Sequence, residues 1–541
     1  MHPLWTVLGA SLWMATVANL ALWQELQRLA LSENSSSGLL GLGLGVITLA
    51  GTALLLTAFA WRWTLKPMLS LLLITAGIGA HYMLTYGVVI DSTMITNVLQ
   101  TDLREAADVL SLRMLLTVGL LGLLPVALVW RLPVRWPRWP RLVVQQLLFV
   151  AGLVLLFLAA MVLSFQPLAS TMRNHKQVRY LINPLNSVYA VGYLAATPLR
   201  RKPGVLLPLG EDAHLGTSYI GQTVPPLLVL VLGETARSAN FGLNGYARDT
   251  TPALQREDVT SFLNAWSCGT STAASVPCMF SHLGRKDFDS RSANYETVLD
   301  VLQRAGLAVL WVDNQSGCKG VCDRVPSIST SELKDPALCS GGECLDPIML
   351  NGLNERIAAL PAERRARGVV VVMHQMGSHG PAYYKRSPSA LKRFMPECTS
   401  NNLQDCSQQA LVNAYDNTIA TTDAFLGATI QWLKAQEGPY APAMVYVSDH
   451  GESLGENNLY LHGLPYSIAP DVQKHVPWVS WFSGAYTQRT GVGSACLKGL
   501  RDREVTHDNY FHSVLGLMGV QTAVYQTSQD AYAACASPRK P

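Results

Sequence analysis

Residues 227–235 read LLVLVLGET and residues 444–452 read MVYVSDHGE. In each, an unbroken apolar run stops on a polar turn that carries a carboxylate. Continuous apolar runs of this length are strands covered on both faces, as in a mainly parallel sheet, whereas a half-exposed strand would alternate. Two more stretches have the same form. Residues 308–312 (AVLWV) lead into Asp313-Asn314-Gln315, and residues 369–373 (VVVVM) lead into His374-Gln375-Met376-Gly377-Ser378-His379. Amphipathic stretches at 295–305 and 408–435 lie between the strands. Strands alternating with helices predict an α/β/α sandwich. Open sheets of this class bind ligands at the carboxyl ends of their strands. Four separate segments would therefore deliver Glu, Asp and His to one edge.

Glu234, Asp449 and His450 together offer two carboxylates and an imidazole, a donor set suited to a borderline divalent cation, Zn²⁺ before Mn²⁺. Asp449-His450 taken alone reads equally well as a turn-capping Asp beside a surface His. Its conjunction with Glu234 at strand ends argues for metal. A catalytic cation leaves one position open, which a hydroxyl nucleophile can fill. The candidate hydroxyls lie in residues 267–272 (SCGTST), ahead of a predicted helix whose regularity Pro277 limits. A hydroxyl there sees the positive end of the helix dipole, but Thr270, Ser271 or Thr272 could equally serve only as the cap.

The rest of the chain is of a different character. Of its 541 residues, 49% are hydrophobic and only 14% charged, too apolar for an ordinary soluble enzyme of this length. The long apolar runs are in the first third. Five segments, at roughly 5–23, 39–60, 67–90, 112–130 and 143–164, reach the ~20 residues a helix needs to cross a bilayer. The first could be a cleaved signal peptide, but no A-x-A-like site follows it and four more segments do, so a retained helix is expected. Arg62 and Lys66, then Arg131, Arg135, Arg138 and Arg141, mark two cytoplasmic links, whereas the link 24–38 holds only Arg28 against Glu25 and Glu33. The positive-inside rule then puts the N-terminus in the cytoplasm and everything after about 165 outside. Trp23, Trp61, Trp63, Trp130, Trp136 and Trp139 fall at segment ends, as an aromatic belt would. Residues 165–220, basic and aromatic, read as a connector at the lipid headgroups, and 221–541 as the exported domain. The net charge of +4 is small and says little, and there is no long basic tract of the kind that would suggest a nucleic-acid partner, so none is expected.

All ten cysteines lie between 268 and 535. An even count in an exported domain predicts disulfides. Spacing does not fix connectivity. Nearest-neighbour pairing would join Cys268 to Cys278, Cys318 to Cys322, Cys339 to Cys344 and Cys398 to Cys406, leaving Cys496 and Cys535. Free thiols or a zinc knuckle are the alternatives, and no C-x-x-C…C-x-x-C spacing supports the latter.

Five motifs occur in order along the chain: GETAR at 233–237, SCGTSTAASVP at 267–277, HQMGSHGP at 374–381, NAYDN at 413–417 and SDHGESLGE at 448–456. Together they closely resemble the phosphoethanolamine–lipid A transferases of the alkaline-phosphatase/sulfatase superfamily, a family that includes the mobile colistin-resistance enzymes. The resemblance spans essentially the whole chain, five N-terminal spans (1–164) included. It implies a monomeric inner-membrane enzyme that moves phosphoethanolamine from phosphatidylethanolamine to a lipid A phosphate by a ping-pong route, and so lowers polymyxin binding. By the same resemblance, Thr272 is the nucleophile and a metal ligand, with Glu234, Asp449 and His450 as zinc ligands. His379 and His462 face the substrate phosphate or a weaker second metal, and Lys319 lies near the phosphoethanolamine, with Cys318 and Cys322 closing a loop around it. Gln315 stands where many relatives have Asn. Asn97, Thr101 and Glu105 correspond to polar residues of a periplasmic loop that holds the donor lipid. His374 is expected to pack or support the ligands. Phosphoglycerol transfer, or transfer to another glycan, would use the same metal core. An inactive scaffold would show a damaged ligand set. A transporter would carry more intramembrane charge than His81 alone.

Overall fold

Five helical stretches are long and apolar enough to cross a membrane: Pro3–Leu31, Gly38–Ala58, Leu65–Tyr86, Leu112–Arg131 and Trp139–Leu163. They come from a computed structural model that describes residues 1–33, 38–101, 106, 108–200 and 205–536. The first stretch departs from expectation, because the predicted link from 24 onward is helical as far as Glu33. Residues 20–33 (LALWQELQRLALSE) keep a helical apolar period, and Arg28 pairs with Glu25 at 2.6 Å one turn away. The two halves meet at a tight turn, Val17–Asn19. There the buried Asn19 amide donates to Met14 O at 2.6 Å and also to Asn183 O, taking up backbone acceptors. The fourth stretch contains one wide turn, Gly119–Leu123.

The chain falls into two units. One comprises Met1–Ile95 and Leu110–Thr197, the other Thr96–Val109 and Pro198–Pro541. The stretch 165–220 is thus divided between them, with helices at Phe165–Asn174 and Leu185–Arg200.

The second unit is built on a seven-stranded sheet. Its strands are β1 (Pro226–Gly233), β2 (Val259–Phe262), β3 (Ala308–Asp313), β4 (Ser327–Ser329), β5 (Val369–His374), β6 (Ala441–Ser448) and β7 (Trp478–Phe482). They run in the order β2-β7-β6-β1-β5-β3-β4. The β6-β1-β5-β3-β4 pairings are parallel, and β7 runs antiparallel to both its neighbours. β1 lies centrally and all eight of its residues are buried. Leu228, Leu230 and Leu232 enter one core, while Leu227, Val229 and Val231 enter the other on the opposite face. Each such side chain contributes about 1.5–3 kcal/mol relative to exposure, which is why the unbroken apolar runs take the middle of the sheet. A long helix, Gln408–Lys434, covers the second face with Leu411, Tyr415, Ile419, Leu426 and Ile430. The cysteines form five disulfides: Cys268–Cys278, Cys318–Cys322, Cys339–Cys344, Cys398–Cys406 and Cys496–Cys535.

Candidate active site

The parallel register brings the polar ends of β1 and β6 side by side, with Gly233 opposite Ser448. Glu234 and Asp449-His450 therefore leave neighbouring strands at one edge, and all three are fully buried. One donor atom from each lies within 4.8 Å of the other two. Thr235 sits at φ 59°, rare for a β-branched residue. Its N–H donates to Asp449 Oδ1 at 3.1 Å and its hydroxyl to Glu234 Oε1 at 2.5 Å, so the strained turn holds both carboxylates.

Of the three hydroxyls at the start of the helix α1 (Thr272–Met279), only Thr272 turns to this cluster. Its Oγ1 donates to Glu234 Oε2 at 3.0 Å and lies 3.4 Å from His450 Nε2. Thr270 donates instead to Leu464 O at 2.6 Å, and the buried Ser271 hydroxyl has no partner among the described residues.

The cluster suits a divalent cation. His450 Nδ1 lies 2.9 Å from Gly451 O, so Nδ1 carries a proton and Nε2 is the ring nitrogen turned to the carboxylates, available to a metal ion once its own proton is displaced. Asp449 Oδ2 is buried, has no hydrogen-bond partner among the described residues and lies 3.4 Å from that Nε2. Burial, reinforced by the Glu234 charge, pushes Asp449 up to about 6. Burial opposes a charged His450, yet Asp449 and Glu234 push it up to about 10. Two desolvated carboxylates thus favour positive charge at one point, which a divalent cation would supply.

His462 packs on His450, with ring centroids 4.3 Å apart, and its Nδ1 pairs with Glu452 Oε2 at 3.2 Å. Burial and the neighbouring His450 lower its pKa, favouring the neutral ring. His379 lies 5.9 Å from His462 between centroids, and its Nδ1 has no hydrogen-bond partner among the described residues. Gln315 Nε2 donates to Glu234 Oε2 at 3.1 Å, and Gln315 Oε1 accepts from the Ser316 hydroxyl at 2.5 Å. Lys319 Nζ in turn donates to Ser316 Oγ at 2.8 Å, so a polar chain links the lysine to Glu234. Among the described residues, Asn97 and Thr101 make no hydrogen bond to this cluster. The Thr101 hydroxyl donates to Asn97 O at 2.8 Å. Glu105 lies outside the described residues. His374 is fully buried against Trp311, with Nδ1 on Asp313 Oδ2 at 3.1 Å.

Two supporting residues escaped the sequence reading. His507 accepts from Cys268 N–H at 3.0 Å and bonds Ser448 O at 3.0 Å, joining the Thr272 loop to the end of β6. Burial lowers it to about 3, so it stays neutral and can accept. Asp346 accepts from the backbone N–H groups of Met376 and Gly377 at 2.8 and 3.1 Å. It thereby fixes the turn that passes Glu234, where Ser378 N–H reaches Glu234 O at 3.0 Å. Gly377 there has φ +53°, and a Cβ would lie 2.6 Å from Glu234 O, so only glycine fits. Neither His507 nor Asp346 belongs to an apolar period or a motif, so local pattern could not reveal them.

Residues 226–520 match the family model described as Sulfatase, and residues 48–198 match that of Phosphoethanolamine transferase EptA/EptB. The chain is 41% identical over 538 residues to phosphoethanolamine transferase EptA of Salmonella typhimurium, covering 97% of this chain and 95% of that one. The chain belongs to the phosphoethanolamine transferase family. It is also 39% identical to phosphatidylethanolamine transferase Mcr-1 of Escherichia coli, over 96% of this chain and 95% of the relative. Among solved structures, the integral membrane lipooligosaccharide phosphoethanolamine transferase A of Neisseria meningitidis superposes with a TM-score of 0.92 at 34% identity, covering 98% of this chain and 99% of that one. This transferase is therefore a multi-pass protein of the bacterial inner membrane with its sulfatase-like unit in the periplasm.

Proposed function

We propose that the enzyme moves phosphoethanolamine from phosphatidylethanolamine to a lipid A phosphate, by two displacements through a phosphoethanolamine–Thr272 intermediate. The observation that carries this reading is the Thr272 hydroxyl, which sits at a helix start with Oγ1 3.0 Å from Glu234 Oε2 and 3.4 Å from His450 Nε2. Glu234, Thr272, Asp449 and His450 would hold Zn²⁺, with Mn²⁺ a poorer fit and His379 and His462 a weaker second position. Bound there, the ion lowers the pKa of the hydroxyl and neutralises phosphoryl charge.

Thr272 Oγ1 attacks phosphorus as the bond to the diacylglycerol oxygen breaks. Glu234 accepts the hydroxyl proton, which is then available to the departing glycerol oxygen. A lipid A phosphate oxygen next attacks the same phosphorus, and Thr272 leaves with a proton restored. His379, His462 and Lys319 stabilise charge on the transferred oxygens. Asn97, Thr101, Glu105 and Gln315 hold the donor headgroup, and His374 with Asp313 supports the cluster. Each copy carries a complete residue set and works as a monomer. Anchoring the domain at the membrane that supplies both lipids raises their effective concentration. The added ammonium offsets lipid A charge, so polymyxins bind the cell surface less well.

Mass spectrometry of lipid A from cells expressing the wild-type chain should show added phosphoethanolamine, which Thr272→Ala should remove while leaving membrane expression intact. Continued modification by Thr272→Ala would overturn the nucleophile. Addition of phosphoglycerol, or of nothing, would overturn the substrate assignment.

A further inference from the structure

We propose that Tyr415 is a positioning residue whose hydroxyl clamps the strained turn at Thr235, so that Glu234 and Asp449 present their carboxylates to one cation. This rests on the function proposed above. Tyr415 belongs to the NAYDN motif, in the long helix Gln408–Lys434, and takes no part in the displacements. Its neighbours in the motif fasten other loops. Asp416 accepts from Asn240 Nδ2 at 2.6 Å, and Asn417 Oδ1 accepts from the backbone N–H groups of Arg393 and Phe394 at 2.9 Å each. Tyr415 is fully buried, with its ring edge-to-face on Tyr383 at 5.6 Å between centroids. That packing carries the hydroxyl to a turn 180 residues away in the chain.

There the hydroxyl donates to Thr235 O at 2.7 Å and accepts from Arg237 N–H at 3.0 Å. One group thus closes the turn across Ala236, using both its donor and its acceptor. Burial holds the phenol above its usual range, so it keeps the proton that it donates. The turn needs such a clamp, because a β-branched residue in the left-handed region is strained and persists only where its surroundings over-determine it. Thr235 spends its other two bonds on the carboxylates themselves, N–H to Asp449 Oδ1 and hydroxyl to Glu234 Oε1. Those bonds set where the carboxylates point, so what holds the turn has to come from elsewhere. Ala236 N–H bonds Ser448 Oγ at 2.8 Å, at the end of β6, and Tyr415 supplies the contact from outside the sheet.

The same helix reaches Glu234 by a second route. Thr418 Oγ1 lies 2.7 Å from Ser378 Oγ, and Ser378 N–H donates to Glu234 O at 3.0 Å. The carbonyls of Glu234 and Thr235 are thus both fixed from one helix, which burial of Leu411, Ile419, Leu426 and Ile430 seats on the sheet. Tyr415→Phe removes one oxygen and leaves the ring packed on Tyr383, so the core stays filled.

The test measures the Zn²⁺ affinity of the full-length enzyme in detergent, by competition with a chelating dye, and its thermal midpoint without metal. Tyr415→Phe should raise the Kd for Zn²⁺ about tenfold, the low end of the change expected when a group that supports metal ligands is removed. Ile430→Val, about four turns further along the same helix, should lower the midpoint and leave the Kd unchanged. In a Thr235→Gly background a left-handed φ carries no side-chain penalty, so Tyr415→Phe should there change the Kd by no more than about twofold. An unchanged Kd in Tyr415→Phe, a matching rise in Ile430→Val, or an equal loss in both backgrounds would overturn the inference alone. A wild-type enzyme that binds no Zn²⁺ would overturn the cation reading and this inference with it.

Discussion

His507 offers the sharpest test of how the site is held. It bridges Cys268 N–H and Ser448 O, each at 3.0 Å, deep in the protein. His507→Leu would leave both backbone groups buried and unpaired, at about 1–3 kcal/mol each, so a loss of about 2–6 kcal/mol is expected. His507→Gln keeps an acceptor and a donor and should lose much less. The two variants also separate a pH effect. His507 is lowered to about 3 in the folded protein from an ordinary value of 6.5. Between those values the unfolded chain binds the extra proton, so stability is complete above pH 6.5 and falls as pH drops toward 3. The slope is about 1.4 kcal/mol per pH unit, or about 2 kcal/mol between pH 6.5 and 5. Calorimetry of the full-length protein in detergent, at pH 7.5 and 5.0, measures both effects. Wild type should lose about 2 kcal/mol more than His507→Gln on acidification. Equal acid sensitivity in the two, or wild-type stability of His507→Leu at pH 7.5, would refute the bridging role.

Three further outcomes are expected. Chelation should abolish transfer and lower the thermal midpoint of the periplasmic unit, and Zn²⁺ at about a thousand times its Kd should restore about 4 kcal/mol; recovery of activity with no metal added would argue against the cluster. Gly377→Ala forces a φ of +53° on an L-residue, costing about 1–2 kcal/mol, and sets its Cβ 2.6 Å from Glu234 O; zinc content by elemental analysis and transfer rate should both fall, and unchanged values would refute the tight approach. Opening Cys496–Cys535, which spans 39 residues, should cost about 4 kcal/mol, against about 2 kcal/mol for Cys318–Cys322, which spans 4; thermal midpoints of the paired Cys→Ser variants in that reverse order would contradict the loop-entropy account.

Much of this protein was legible because its strongest signals are local. A run such as 227–232, six apolar residues closed by a polar turn, must be covered on both faces, and its shortness favours a strand over a helix. A 25-residue apolar stretch such as Trp139–Leu163 has to find a bilayer. The same physics located Glu234, Asp449 and His450, because a parallel sheet delivers the ends of its strands to one edge. The helical run to Glu33 was misjudged because its charges read as a loop, although Glu25 and Arg28 pair along one helix face.

What the tertiary structure alone decided depends on contacts between residues far apart in the chain. Composition could not choose among Thr270, Ser271 and Thr272, and only the family resemblance singled out Thr272; the packing of residues 267–272 against the ends of β1 and β6 supplies the physical reason, turning only the last toward the carboxylates. Likewise His507 lies 239 residues from the amide it holds, and Tyr415 lies 180 from the carbonyl it holds. Short-range apolar periods set the elements and their order, but a buried hydrogen bond or ion pair gains its energy only once folding has excluded water around both partners. Which polar residues meet is therefore a property of the completed fold.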